Sequence, residues 1–313
     1  MIMNKPFAAH IKEDGTVQTI HDHLLGTAAI AKQFGQAFGS GDFAGLIGLF
    51  HDIGKYSDKF QSRIYEGGNR VDHSTAGAVE INKILPRLGF LLSYCIAGHH
   101  AGLPDGGSLA DTKDEPTLNG RLKRNIEAYE AYKEEIQPDL QSLKQLIPIK
   151  PLEKKGFSLS FYIRMLFSCL VDSDFLDTET FMTGQKARGT SETIEALNEK
   201  LDKYIENLKA PQSEINGKRT DILNCCISKA ENDKGLFTMT VPTGGGKTIS
   251  SLAFALKHAW HHSMERIIYV IPYNSIIEQN AAVFKSILGE ENVLEHHSNY
   301  DYDDATEDET AEK

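Results

Sequence analysis

His51 and Asp52 stand side by side at the end of an apolar run, residues 44–50, and an imidazole beside a carboxylate where a buried helix ends is the pattern of a metal site. Four more histidines, His23, His73, His99 and His100, sit on or at the end of similarly apolar stretches, and Asp172 interrupts another. A single buried histidine is more often a satisfied core residue than a ligand. Five of them at helix ends, with one carboxylate adjacent and another inside an apolar helix, are hard to explain as packing. Mixed nitrogen and carboxylate donors favour Mn, Fe, Co or Ni over Mg, which prefers oxygen alone. Seven donors exceed one ion's need, so the pattern predicts two divalent ions sharing Asp52, a centre able to activate a water and clamp a phosphodiester. Lys55, three residues on, is placed to stabilise charge on the reacting phosphate; its plainer role is a salt bridge to a neighbouring carboxylate.

A second motif lies far downstream. In the run Thr243, Gly244, Gly245, Gly246, Lys247, Thr248, glycines let backbone N–H groups turn inward around phosphate oxygens, Lys247 reaches the outer phosphates, and the Thr248 hydroxyl suits Mg²⁺. The usual pattern has Gly or Ala where this chain has Val241. Phosphoryl transfer also needs an acidic Mg²⁺ partner on a later strand and an arginine from elsewhere, and neither can be placed in the 65 residues beyond Thr248. The motif predicts a nucleotide site with ATP and Mg as its ligands, not a complete motor.

The elements that must position these residues follow from periodicity. Helices are expected over residues 20–38, 42–52, 72–85 and 87–97, the last apolar nearly all round and ending at His99 and His100. Adjacent helical residues point about 100° apart, so those two histidines meet one ion only at a fraying helix end. Residues 103–118 read as a loop, 122–146 as a charged helix whose Arg121, Lys123 and Arg124 face either a phosphate backbone or solvent, and 159–176 as a core helix containing Asp172 and Asp174. An amphipathic helix over 191–208 precedes a polar linker with Pro and Gly, 209–218. Beyond it a helix (219–230), a strand (235–241), the phosphate loop, a helix (247–262), a strand (266–271) and a helix (275–288) form a βαβ pattern. The expected architecture is mostly α: an all-helical metal-binding domain over 1–208, then a partial α/β domain over 219–313.

Composition agrees with a globular chain: 313 residues, 40% hydrophobic and 25% charged. The net charge of −11 argues against a nucleic-acid partner until its distribution is examined, because residues 300–313 alone carry −6. Bound divalent cations would add local positive charge. Cys95, Cys169, Cys225 and Cys226 lack a C-x-x-C spacing and read as reduced packing residues. No leader and no long apolar run is visible, so a cytoplasmic location without a membrane partner is expected.

The segments Phe50 to Lys55, Asp72-His73-Ser74, Ala97 to Gly102 and Ser168 to Asp174, followed by Val241 to Thr248, resemble the CRISPR-associated HD nuclease-helicases of type I interference systems. The resemblance spans nearly the whole chain. It implies an HD-type nuclease domain that cuts single-stranded DNA, fused to a superfamily 2 helicase with a RecA-like first domain that loads on DNA exposed by a crRNA-guided surveillance complex. It also implies that His23, His51, Asp52 and Asp172 hold one metal while Asp52, His73, His99 and His100 hold the other. The family's later helicase motifs and second RecA-like domain are missing, so metal-dependent cleavage is expected of this chain and ATP-driven unwinding is not. Two other classes stay open: an HD phosphohydrolase acting on a small or cyclic nucleotide, and an ATP-responsive binding module.

Overall fold

A computed structural model describes residues 5–86, 88–138, 140, 155–184, 191–208 and 213–297. The chain divides into two compact units, Met1–Lys186 and Ala187–Lys313.

The first unit opens with a short antiparallel hairpin, β1 (Ala8–Ile11) and β2 (Val17–Thr19), whose register is broken between Ala8 and His10. Helix α1 (Ile20–Gln36) starts where the Thr19 hydroxyl accepts from the Asp22 N–H, and it buries Ile20, His23, Leu24, Thr27 and Ala31 at helical spacing. α2 (Gly41–Phe50) packs along it, and His51 continues its right-handed geometry as the C-cap. A single 3₁₀ turn, Ile53–Tyr56, then redirects the chain into α3 (Asp58–Glu66). α4 (Ser74–Ile84) and α5 (Gly89–Gly98) pair with each other, and α5 also lies on α8 (Lys155–Thr183). Two single-turn helices, α6 (Leu118–Arg121) and α7 (Tyr132–Glu135), come between them. Leu24, Ile47, Ile53, Ile81, Ile96, Leu166 and Leu170 are fully buried in one core. Each such side chain contributes about 1.5–3 kcal/mol of transfer free energy.

The helix expected over 122–146 does not form as one element. Residues 122–131 run irregularly, α7 is one turn, and 141–154 lie outside the described residues. Side chains tie this stretch down in place of a helical ladder. Tyr129 and Tyr132 both donate to the buried Glu80 carboxylate, at 2.9 and 2.8 Å. The basic cluster is held by bonds within the unit, although Lys123 is itself exposed. Arg121 donates to Ala97 O, Ser74 Oγ and Thr75 Oγ1, Arg124 to Lys113 O, and Lys123 to Leu109 O. These bonds clamp the 103–118 loop against α4 and α5.

The second unit is built on α9 (Ile194–Leu208), α10 (Glu214–Lys229), α11 (Lys247–His261) and α12 (Asn274–Leu288). α9, expected to close the first domain, packs here instead. Leu197, Leu201 and Ile205 meet Leu252, Leu256, Phe284 and Ile287 in a separate core. The strands expected over 235–241 and 266–271 enter no ladder among the described residues. Leu236 is 96% exposed and Val270 89% exposed, so their apolar sides are uncovered. Two parallel strands have too few neighbours to make a stable sheet. Among the described residues no helix is long and apolar enough to cross a membrane. Cys95 and Cys169 are buried and reduced as expected, whereas Cys225 is exposed.

Candidate metal centre

Five elements of the first unit send side chains to one point. His23 comes from the first turns of α1, His51 and Asp52 from the end of α2, His73 from the N-cap of α4, His99 and His100 from the end of α5, and Asp174 from α8. Asp52 is 1% exposed and lies at the centre. Its Oδ1 is 3.4 Å from His73 Nε2 and 3.3 Å from His99 Nε2. Its Oδ2 is 3.6 Å from His23 Nε2 and 3.4 Å from His51 Nε2. One carboxylate therefore faces two histidine pairs through its two oxygens. Two ligand sets result, Asp52 with His73, His99 and His100, and His23 with His51 and Asp174, each with its donor atoms within 4.8 Å of one another.

The histidines are aimed from behind. His51 Nδ1 donates to Gly48 O at 2.8 Å, His99 Nδ1 to Ile96 O at 2.7 Å, His73 Nδ1 to Val71 O at 3.0 Å, and His23 Nδ1 to Asp177 Oδ2 at 2.7 Å. These bonds leave each Nε2 turned toward Asp52, where a ring carrying its proton on Nδ1 alone would present a lone pair. Of the eight buried side-chain polar atoms without a hydrogen bond among the described residues, five belong here: His23 Nε2, His51 Nε2, His99 Nε2 and both Asp52 oxygens. Buried polar atoms are normally satisfied, and five converging lone-pair donors fit a divalent cation.

Asp172 is not among them. It is exposed, and it accepts a hydrogen bond from Ser168 Oγ at 3.5 Å. Asp174 takes its place, 3.3 Å from His23 Nε2 and 3.5 Å from His51 Nε2. The reason is helical phase: Tyr162, Leu166 and Leu170 form the buried stripe of α8, four residues further on is Asp174, and Asp172 lies about 200° away from it. That stripe was the available signal. Asp177, one turn beyond on the same face, carries none as strong; it accepts from Gln18 Nε2 at 2.8 Å as well as from His23. His10, also unforeseen, is brought in by β1, and its ring meets that of His23 at 4.9 Å.

Electrostatics follow from burial and carboxylates. Burial alone would lower His23, but Asp174, Asp177 and Asp52 outweigh it and push its pKa up to about 10. His99 is raised by Asp52 against the same burial penalty. Burial pushes His100 down to about 4 and His10 to about 3. Burial opposes ionisation of Asp52, yet Lys55 and the neighbouring imidazoles hold it well below the usual carboxylate range. Lys55 Nζ is 2.7 Å from Asp52 Oδ2 as an ion pair, outside hydrogen-bond alignment, so the lysine's first partner is the central carboxylate itself.

In the second unit the phosphate loop has its expected turn. Gly244 and Gly246 sit at φ +81° and +80°, Gly245 N–H donates to Pro242 O, and Gly246 caps α11, whose first residue, Lys247, is exposed. The Thr248 hydroxyl donates to Asn280 Oδ1 at 3.1 Å, and Arg219 Nε to Gly244 O at 2.8 Å.

Residues 20–142 match the HD domain family, and the match together with the histidine and aspartate cluster supports a metal-dependent hydrolase. Residues 190–313 match the family of the type III restriction enzyme, res subunit, so the chain joins an N-terminal HD domain to a helicase-like region. Among curated proteins no sequence matches the chain.

Proposed function

We propose that the N-terminal unit is a metal-dependent phosphodiesterase that cuts single-stranded DNA, acting with a crRNA-guided surveillance complex in CRISPR interference. The observation that carries the metal-dependent chemistry is the set of five orphaned buried donors around Asp52. The DNA substrate draws support from the helicase-like family match that follows the HD domain. Two divalent ions, one for each ligand set, would supply a deprotonated water near neutral pH and neutralise phosphodiester oxygens. Asp52 holds the two sets in register, Asp174 and the histidines fix the donor positions, and Lys55 balances the buried Asp52 charge at the edge of the cleft. The phosphate loop, with its glycine turn at a helix N-terminus, suits ATP with Mg.

A second reading, hydrolysis of a small or cyclic nucleotide, draws on the size of the adjoining cleft, about 490 Å³, within the range of nucleotide-sized ligands. One experiment separates the two. The purified chain is assayed for bound metal and, with Mn²⁺, Co²⁺ or Ni²⁺, for cleavage of single-stranded DNA and of cyclic dinucleotides, with and without ATP. Cleavage of DNA that is lost in Asp52→Ala supports the proposal; undiminished cleavage by that variant overturns it, and turnover of cyclic dinucleotides alone selects the second reading.

A further inference from the structure

The cleft opens on the His73 and His100 side of the ligand set, and no carboxylate lines it among the described residues. His10 and Lys55, with Phe60 and Arg63 of α3, line it. Phe60 is 3% exposed and so is fixed in place beside both cations and His73. Its ring lies 5.2 Å from that of His73. Lys55 Nζ is 5.6 Å and the Arg63 guanidinium carbon 5.8 Å from the Phe60 centroid. Arg63 is therefore no more than about 11 Å from the His73 ring, the two legs being 5.8 and 5.2 Å.

The two cations differ in what they already hold. Lys55 is paired with Asp52. The Arg63 guanidinium, half-buried, has no ion pair and no hydrogen bond among the described residues, and only the face of Phe60 steadies it. Its planar fork of donors matches the two free oxygens of a phosphodiester. The turn after α3 leaves room for one. Gly67 and Gly68 line the cleft at φ +84° and +134°, and a Cβ at either would meet nothing within 4 Å.

We infer that Arg63 binds the phosphate next to the scissile one, so that the cleft selects a polynucleotide strand over a lone phosphodiester. This inference rests on the reading of the unit as a single-strand DNA phosphodiesterase. It assigns Arg63 to substrate binding and leaves the reacting phosphate to the ligand set.

The test compares the full chain with Arg63→Ala and Arg63→Lys on two Mn²⁺-supported substrates. Bis(p-nitrophenyl) phosphate has one phosphodiester and no neighbour, whereas a single-stranded oligothymidylate has many. For Arg63→Ala the KM for the oligonucleotide rises about tenfold or more, as the loss of a charge-assisted hydrogen bond requires, with kcat within about twofold. The constants for the small substrate do not change, and Arg63→Lys recovers part of the loss. Metal-free binding of a labelled oligonucleotide, followed by anisotropy against salt, shows a slope shallower by about 0.7 for Arg63→Ala. If Arg63→Ala matches the wild type in oligonucleotide KM and salt slope, or harms both substrates equally, the Arg63 assignment fails while the nuclease reading stands. A wild-type chain that turns over the small substrate but no oligonucleotide overturns the nuclease reading and this inference with it.

Discussion

Asp172 and Asp174 lie two positions apart on α8, and the helix turns them about 200° from one another. Asp174→Ala is expected to weaken metal binding at the His23–His51 set by about a hundredfold or more, since even outer partners of metal ligands are worth 10–100-fold. Asp172→Ala is expected to change it less than about twofold; calorimetric titration of both variants decides, and equal losses would contradict the geometry. The six other residues of the two candidate sets were legible because each histidine and Asp52 ends or begins an apolar run, a local signal. Asp174 could be found only by following the buried stripe from Leu166 through Leu170, and His10 and Asp177 not at all, since a hairpin and a helix 154 residues from His23 bring them in. Protons compete with metal at these residues. His23, with its pKa near 10 in the metal-free fold, must lose a proton on ligation, so metal affinity rises with pH toward that value, about tenfold per unit for one proton. Because the folded pKa lies above the free value of 6.5, the imidazolium stabilises the metal-free fold fully below pH 6.5, and that contribution fades as pH rises through about 10. Titrations at pH 8 in two buffers of different ionisation enthalpy count the released protons, and a count of zero would rule this out.

At the scale of elements, the centre depends on helix ends that approach closer than side chains allow. A Cβ on Gly77 would stand 2.0 Å from Phe50 O, and one on Gly54 would stand 2.1 Å from His73 O. These glycines let the end of α2 touch the start of α4, which sets His51 and Asp52 against His73. Gly77→Ala is expected to destabilise the first unit by about 1–3 kcal/mol through backbone displacement and to weaken metal binding together with it. Thermal unfolding with and without Mn²⁺ measures both, and an unchanged midpoint would show the contact to be dispensable. The long helices were legible because their apolar periodicity exceeds three turns. The irregular 122–131 stretch was misread because Glu80, Tyr129 and Tyr132 settle it from 49 and 52 residues apart. The expected strands of the second unit read correctly as apolar, but strand character needs partners that the described residues do not provide.

For the whole molecule, the candidate metal donors among the described residues fall between His23 and Asp174, inside the unit Met1–Lys186. A chain ended at Lys186 should bind the same number of metal ions as the full chain, and metal analysis of both would expose any ligand contributed from elsewhere. The division after Lys186 was missed because α9 has a charged outer face, and its apolar stripe finds its complement only in α11 and α12. That the ligands come from five separate elements has a consequence for the order of events in the life of the chain. Asp52, His73, His99 and His100 lie in one continuous stretch from α2 to α5, whereas the His23, His51 and Asp174 set closes only when α1, α2 and α8 pack together. Metal that binds the folded unit should slow its unfolding. The set that reaches from α1 to α8 is thus open to an ion only once the unit has closed, while the set between α2 and α5 is available to a shorter folded segment.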